Sequence, residues 1–271
     1  MVIRSALVNV MTAAAQKAGR ALLRDFGELE NLQVSRKGLG DFVSSADLKA
    51  ERIIRESLSR ARPDFGFLME EAGAVPGVDA DARFIVDPLD GTSNFLHGLP
   101  HFAVSIAAEV KGAVTAGVIY DPVKDEVFWA EKGQGAYLNS SRLRVSGRES
   151  LGDAMIACGA PVPRDPGPDT VYLMLQRLER VASAVGGVRR WGAAALDLAY
   201  VAAGRYDGFW EYGLSPWDIA AGVLMVREAG GFVTDLRGAS YVTGGKDIVA
   251  ANAALHPAFL RLLRVPPPEN R

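Results

Sequence analysis

The chain has 271 residues, 49% of them hydrophobic and 23% charged, enough to bury the core of one large domain or two small ones. Lys and Arg number 30 and Asp and Glu 32, so the net charge of −2 gives no global electrostatic reason to bind nucleic acid or an anionic membrane. The single cysteine, Cys158, excludes an intrachain disulfide and a cysteine-based zinc cluster, and so sparing a use of thiols points to the cytoplasm.

The N-terminal stretch "MVIRSALVNVMTAAAQKAGRALLRDF" is broken by Arg4, Asn9, Gln16 and Lys17, which suits an amphipathic helix over 3–26 better than a signal peptide. Nowhere is there a run of about 18 apolar residues, so no membrane span is expected. A second helix is predicted over 46–62, with Ala46, Ala50, Ile53, Ile54, Leu58 and Ala61 on one face and Pro63 as its stop. Strands follow in "FGFLM", "RFIVD", "FAVSIAAEV", "AVTAGVIYD" and "EVFWAE", punctuated by Lys111-Gly112, "PVKD", Gly133 and Gly135. Beyond a polar boundary at 146–151 the pattern alternates: strand "DAMIACG", helix 169–185, helix 193–204, strand "YDGFWEY", helix 216–230, strands "GFVTD" and "DIVAA", helix 255–263. Two halves are expected, 1–148 and 149–265, with 266–271 a frayed tail. Runs of strands flanked by long helices argue a layered α+β architecture.

GxGxxG, Walker A, GxSxG and HExxH motifs are all absent, and His97, His101 and His256 lack metal-ligand spacing. Chemistry must come from carboxylates and hydroxyls, and such hard oxygen donors suit Mg²⁺, Mn²⁺ or Ca²⁺. Four segments place acids at the ends of regular elements: "DFVSSAD" (41–47), "MEEAG" (69–73), "DPLDGTSN" (87–94) and "SPWDIAAG" (215–222). Each has a local explanation. Asp90-Gly91 is turn chemistry, Thr92 and Ser44 or Ser45 are possible caps, Ser215-Pro216-Trp217-Asp218 reads as a capping box, and Glu70 and Glu71 can be solvated charges. Together they argue otherwise, because acids next to a core strand need a partner, and several acids need a cation.

"DPLDGTSNF", the upstream "EE", "DFVSSAD", "AAALDLAYVAAGRYDGFWE" and the downstream "WDIAAG", in that order over nearly the whole chain, resemble the signature set of the inositol monophosphatase family. The resemblance implies a layered α/β/α/β/α sandwich, a homodimer, and a Mg²⁺-dependent, lithium-sensitive phosphatase acting on a small phosphorylated polyol; an RNA-binding role is conceivable in the family's neighbourhood, but the charge of −2 and the lack of basic–aromatic clusters give it little support, and no membrane partner is expected. It implies that Glu70, Asp87 and the carbonyl of Leu89 bind a first Mg²⁺, that Asp87, Asp90 and Asp218 bind a second, and that a third, weak ion sits near Glu70. Mn²⁺ is a possible substitute. Gly91, Thr92 and Ser93 would cradle the phosphate, and Thr92 paired with Asp47 would activate the attacking water. Glu211 would bind a substrate hydroxyl, with Gly192 and Ala194 against the ring; Trp191 and Trp210 are open between site and core. Met69 replaces a common Gly, Ser44 and Ser93 replace Thr, and "KGLGDF" (37–42) would form a mobile hairpin with Lys37 adding positive charge. Histidinol phosphate, fructose 1,6-bisphosphate and 3′-phosphoadenosine 5′-phosphate are alternative substrates on the same metal core. A non-enzymatic interaction protein is the alternative of a different class.

Overall fold

The computed structural model of the protein describes residues 4–28, 34–38, 41–159, 168–241 and 244–265. Helix α1 (Ala6–Phe26) starts where Ser5 Oγ accepts the Val8 N–H at 3.2 Å, and it buries Val8, Met11, Ala15, Ala18 and Leu22. Helix α2 (Ser45–Ala61) opens on a capping box between Ser44 and Asp47 and ends before Pro63. Strands β1 (Val34–Gly38) and β2 (Asp41–Ser44) pair antiparallel; the tip of this expected hairpin and the Lys37 side chain lie outside the described residues.

The large sheet holds β3 (Phe65–Met69), β4 (Gly73–Val75), β5 (Asp79–Asp90), β6 (Ala103–Val110), β7 (Ala113–Asp121), β8 (Glu126–Glu131), β9 (Gly135–Leu138) and β10 (Ser141–Arg142), in the order β10-β9-β8-β7-β6-β5-β3-β4. Among the described residues of this sheet, only β3 and β5 pair in parallel. The five-residue helix α3 (Thr92–Leu96) follows β5. The small sheet holds β11 (Met155–Cys158), β12 (Gly187–Arg189), β13 (Gly208–Tyr212), β14 (Phe232–Thr234) and β15 (Asp247–Ala251), in the order β12-β11-β13-β15-β14. Helices α4 (Pro168–Ala182), α5 (Ala194–Ala202), α6 (Pro216–Glu228) and α7 (His256–Leu263) complete the chain. Helix ends differ from the sequence expectation by up to three residues, the usual uncertainty of frayed termini.

The burial pattern explains the layers. Along β5, Phe84 and Val86 face one core with α1 and α2, whereas Ile85 faces another with α5 and α6. Helix α5 is buried on every side and α6 over Ile219–Val226, so both must lie inside the molecule. They fill the space between the two sheets, sharing a core with Ala157, Phe209 and Ala250 of the small sheet. The far face of that sheet, with Ile156, Trp210 and Val249, packs on Val181, Phe259 and Leu263 of α4 and α7. The result is the five-layer α/β/α/β/α sandwich. Among the described residues no helix is long and apolar enough to cross a membrane.

Candidate active site

The strand expected to end at Asp87 runs on to Asp90, with a change of register on the way. Asp87 lies opposite Ser105 and Asp90 opposite Ala103, so β5 carries one residue more than β6 between them. This β-bulge falls at Pro88-Leu89, where proline has no N–H to give to a ladder. Without it, Asp87 and Leu89 would share a face. With it, Leu89 joins Phe84 and Val86 in the α1/α2 core, and Asp87 and Asp90 both turn toward α5 and α6.

The other acids arrive from neighbouring elements. Glu70 follows β3, the parallel neighbour of β5, and its N–H donates to the Val86 carbonyl at 3.2 Å. Asp218, the third residue of α6, closes the capping box with Ser215, whose N–H donates to its Oδ2 at 2.7 Å. The Ala195 N–H at the start of α5 donates to Asp90 Oδ2 at 2.8 Å, and the Leu89 N–H to Asp87 Oδ1 at 2.9 Å. Burial, then the charges of Glu70, Asp90 and Asp218, pushes the Asp87 carboxyl well above the usual carboxylate range. Burial and the Asp218 charge do the same to Asp90. These acids repel one another, and each of the two at the centre is relieved by a single backbone N–H. Their oxygens form a donor set suited to a hard cation. Among the described residues no three or more His, Cys, Asp or Glu side chains are grouped closely enough to hold a metal ion by themselves.

Thr92 is not the cap of α3. Gly91 is, in the left-handed conformation (φ 93°), with no side-chain capping bond. The Thr92 hydroxyl lies instead 3.1 Å from Asp47 Oδ1 and 2.9 Å from the Leu89 carbonyl, and its one proton can go to either. Asp47 is fully buried, and its Oδ2 accepts the Ser44 N–H at 2.9 Å and the Ser44 hydroxyl at 2.5 Å. Burial raises its pKa and these hydrogen bonds pull it back. A Cβ on Gly91 would lie 3.0 Å from the His101 carbonyl, so glycine is also required for the close packing of this turn. Ser93 is exposed, Gly192 is partly exposed and Ala194 is buried. Glu211 lies at the end of β13, its carboxyl raised to about 8 by burial and by Asp218, with Arg190 opposing the shift. Trp210 is core, whereas Trp191 is half exposed and packs against His101 with ring centres 5.1 Å apart and planes tilted by 42°.

Three residues without a role in the sequence reading join the site. Glu51, buried one helical turn after Asp47, accepts the N–H groups of Glu71 and Ala72 at 2.9 and 3.1 Å and so holds the turn that carries Glu70. Asn94 donates to the carbonyls of His101 and Trp191 at 2.8 and 2.7 Å, tying α3 to the loop before α5. Asp197 is buried in α5 near Glu211 and Asp90, which together with burial raise its pKa strongly. The signal for Glu51 was present: an acid four residues from Asp47, flanking the apolar face of α2.

A model of the inositol monophosphatase family matches residues 4–265. The chain belongs to that family. An inositol-1-monophosphatase of Mesorhizobium japonicum is 58% identical over 97% of this chain and 98% of its own. A Nus factor SuhB of Pseudomonas aeruginosa is 45% identical over 95% and 96%. The crystal structure of the extragenic suppressor protein suhB from Bartonella henselae superimposes with a TM-score of 0.92 at 57% identity, over 96% of this chain and 99% of that one. The family is one of metal-dependent phosphatases, and the open oxygen cluster on β5 and α6 has the donor chemistry such a metal needs.

Proposed function

We propose that this protein is a Mg²⁺-dependent phosphomonoesterase that hydrolyses myo-inositol 1-phosphate to inositol and phosphate. The observation that carries the reading is the bulge that turns Asp87 and Asp90 to one face, beside Glu70 and the Asp218 helix start. Glu70, Asp87 and the Leu89 carbonyl would hold one Mg²⁺, and Asp87, Asp90 and Asp218 a second. Bound there, the ions would supply neutralisation of phosphoryl charge and acidification of water.

The chain's own residues do the rest. The backbone N–H groups of Gly91, Thr92 and Ser93 face the phosphate from the first turn of α3, where a helix has no internal acceptors for them. Thr92 Oγ1 takes a proton from the attacking water as it passes its own to Asp47 Oδ1, and the buried Asp47, with its raised pKa, is a fitting acceptor. Glu211 accepts a polyol hydroxyl, with Gly192 and Ala194 against the ring. Relatives at 52–58% identity that bear the name inositol-1-monophosphatase support the inositol ester over the alternative phosphoesters. Lithium sensitivity, a homodimer and a cytoplasmic location belong to the same reading.

The test is phosphate release from D-myo-inositol 1-phosphate, histidinol phosphate, fructose 1,6-bisphosphate and 3′-phosphoadenosine 5′-phosphate, each with Mg²⁺ and with added Li⁺. Li⁺-inhibited turnover that favours the inositol ester is expected; preference for another ester overturns the substrate. Relatives named Nus factor at 43–45% identity favour, as a second reading, an additional role in transcription, for which salt-resistant binding to an RNA or a transcription complex would be the sign.

A further inference from the structure

Strands β11 and β13 run parallel with Cys158 opposite Trp210, and the Gly159 N–H extends this ladder by donating to the Trp210 carbonyl at 3.1 Å. Gly159 therefore stands beside Glu211, and the Glu211 side chain leans across it. A Cβ on Gly159 would lie 1.7 Å from the Glu211 carboxyl carbon and 1.9 and 2.1 Å from its oxygens. The backbone at Gly159 is outside the left-handed region, so its conformation does not call for glycine. Clearance does: the space of one absent methyl group is filled by the carboxylate. The blocked atoms are the far end of a flexible side chain. An added methyl would therefore turn the carboxylate aside and leave the two strands in place.

We propose that Gly159 is a positioning residue for substrate selection: by having no side chain it lets the Glu211 carboxylate lie where it meets a hydroxyl of the leaving polyol. The size of residue 159 then sets the preference for polyol esters over esters with no hydroxyl to offer. This rests on the reading of Glu211 given above. It also accounts for the half-buried Glu211 carboxyl lying against the Gly159 backbone next to the end of β13.

The test is a double-mutant cycle of wild type, Gly159→Ala, Glu211→Gln and the double variant, with kcat and KM for D-myo-inositol 1-phosphate and 4-nitrophenyl phosphate in Mg²⁺, and a thermal melt of each protein. Gly159→Ala is expected to melt as wild type does. It should lower the ratio of kcat/KM for the inositol ester to that for the aryl ester by about 10-fold, mainly through KM, the size of one lost hydrogen bond. In the Glu211→Gln background the same change should add nothing. Equal effects on both esters, full additivity with Glu211→Gln, or loss of folding in Gly159→Ala would each overturn the inference. If Glu211→Gln shifts the ratio and Gly159→Ala does not, this inference alone falls. If Glu211→Gln leaves both esters unchanged, the reading of Glu211 falls and takes the inference with it.

Discussion

The Thr92 hydroxyl stands between a carboxylate and a carbonyl, and the buried Asp47 has two tasks, closing the capping box of α2 and facing Thr92. Asp47→Asn keeps an oxygen for the Ser44 N–H but no longer takes a proton. It is expected to fold, as is Thr92→Ala, and each should lose roughly 100-fold or more in kcat, the range of one general base; an unchanged kcat in either folded variant contradicts the relay. Glu211→Gln is expected to raise KM for the inositol ester by about 10-fold or more while sparing 4-nitrophenyl phosphate. His101 offers a different check. Its ring is buried, Nε2 has no hydrogen-bond partner among the described residues, and burial lowers its pKa to about 4. As pH falls from 6.5 toward 4, the unfolded chain binds the proton before the folded one, so stability falls with pH by at most about 1.4 kcal/mol per unit. The difference in stability between wild type and His101→Phe, from denaturant melts across this window, should change with that slope; parallel curves would contradict it.

Among the elements, β5 and α6 decide the site, because a bulge and a capping box aim three of its carboxylates. Their approach depends on a thin spacer: a Cβ on Gly117 of β7 would lie 3.0 Å from the Ala221 Cα and 3.1 Å from its carbonyl oxygen on α6. Gly117→Ala must push α6 off the sheet, at an overpacking cost of about 1–3 kcal/mol. The melting temperature should fall by roughly 2–10 °C, and the Mg²⁺ concentration for half-activation should rise because Asp218 moves with the helix. A melt and metal dependence equal to wild type would show that α6 has slack. The long elements were legible in the sequence: the apolar stripes of α1 and α2, and the Ser215-Pro216-Trp217-Asp218 start of α6, follow from local spacing and caps. Strands as short as β4, β10 and β12 were not, since two or three residues carry no period. The bulge was hidden as well. Pro88 announced a break in the strand, but which face Asp90 would take depends on the register against β6, a distant pairing that local sequence does not record. For Thr92 local spacing allowed a helix cap and the family resemblance a partnership with Asp47; the left-handed Gly91 holds the cap position, and the hydroxyl lies 3.1 Å from Asp47 Oδ1.

At the scale of the whole molecule, the acids of the β3 end, the β5 bulge and the start of α6 lie close enough to raise one another's pKa, although the chain as a whole carries a net charge of only −2. Concentrating like charge in a partly buried site destabilises the protein until protons or a cation neutralise it. Burial and the neighbouring carboxylates raise the pKa of Asp87 and Asp90, so protons and Mg²⁺ compete for the same oxygens. The gain in melting temperature on adding Mg²⁺ should therefore be larger at pH 8 than at pH 6, and small in Asp87→Asn; a gain independent of pH would mean that the ion binds elsewhere. The most direct test of the account is phosphate release from D-myo-inositol 1-phosphate by protein stripped with chelator, then titrated with Mg²⁺, for wild type and Asp90→Asn. The expected result is no turnover after stripping, recovery on titration in wild type, and no recovery in folded Asp90→Asn. Turnover that survives the chelator, or wild type that stays inactive at saturating Mg²⁺ while folded, would contradict it.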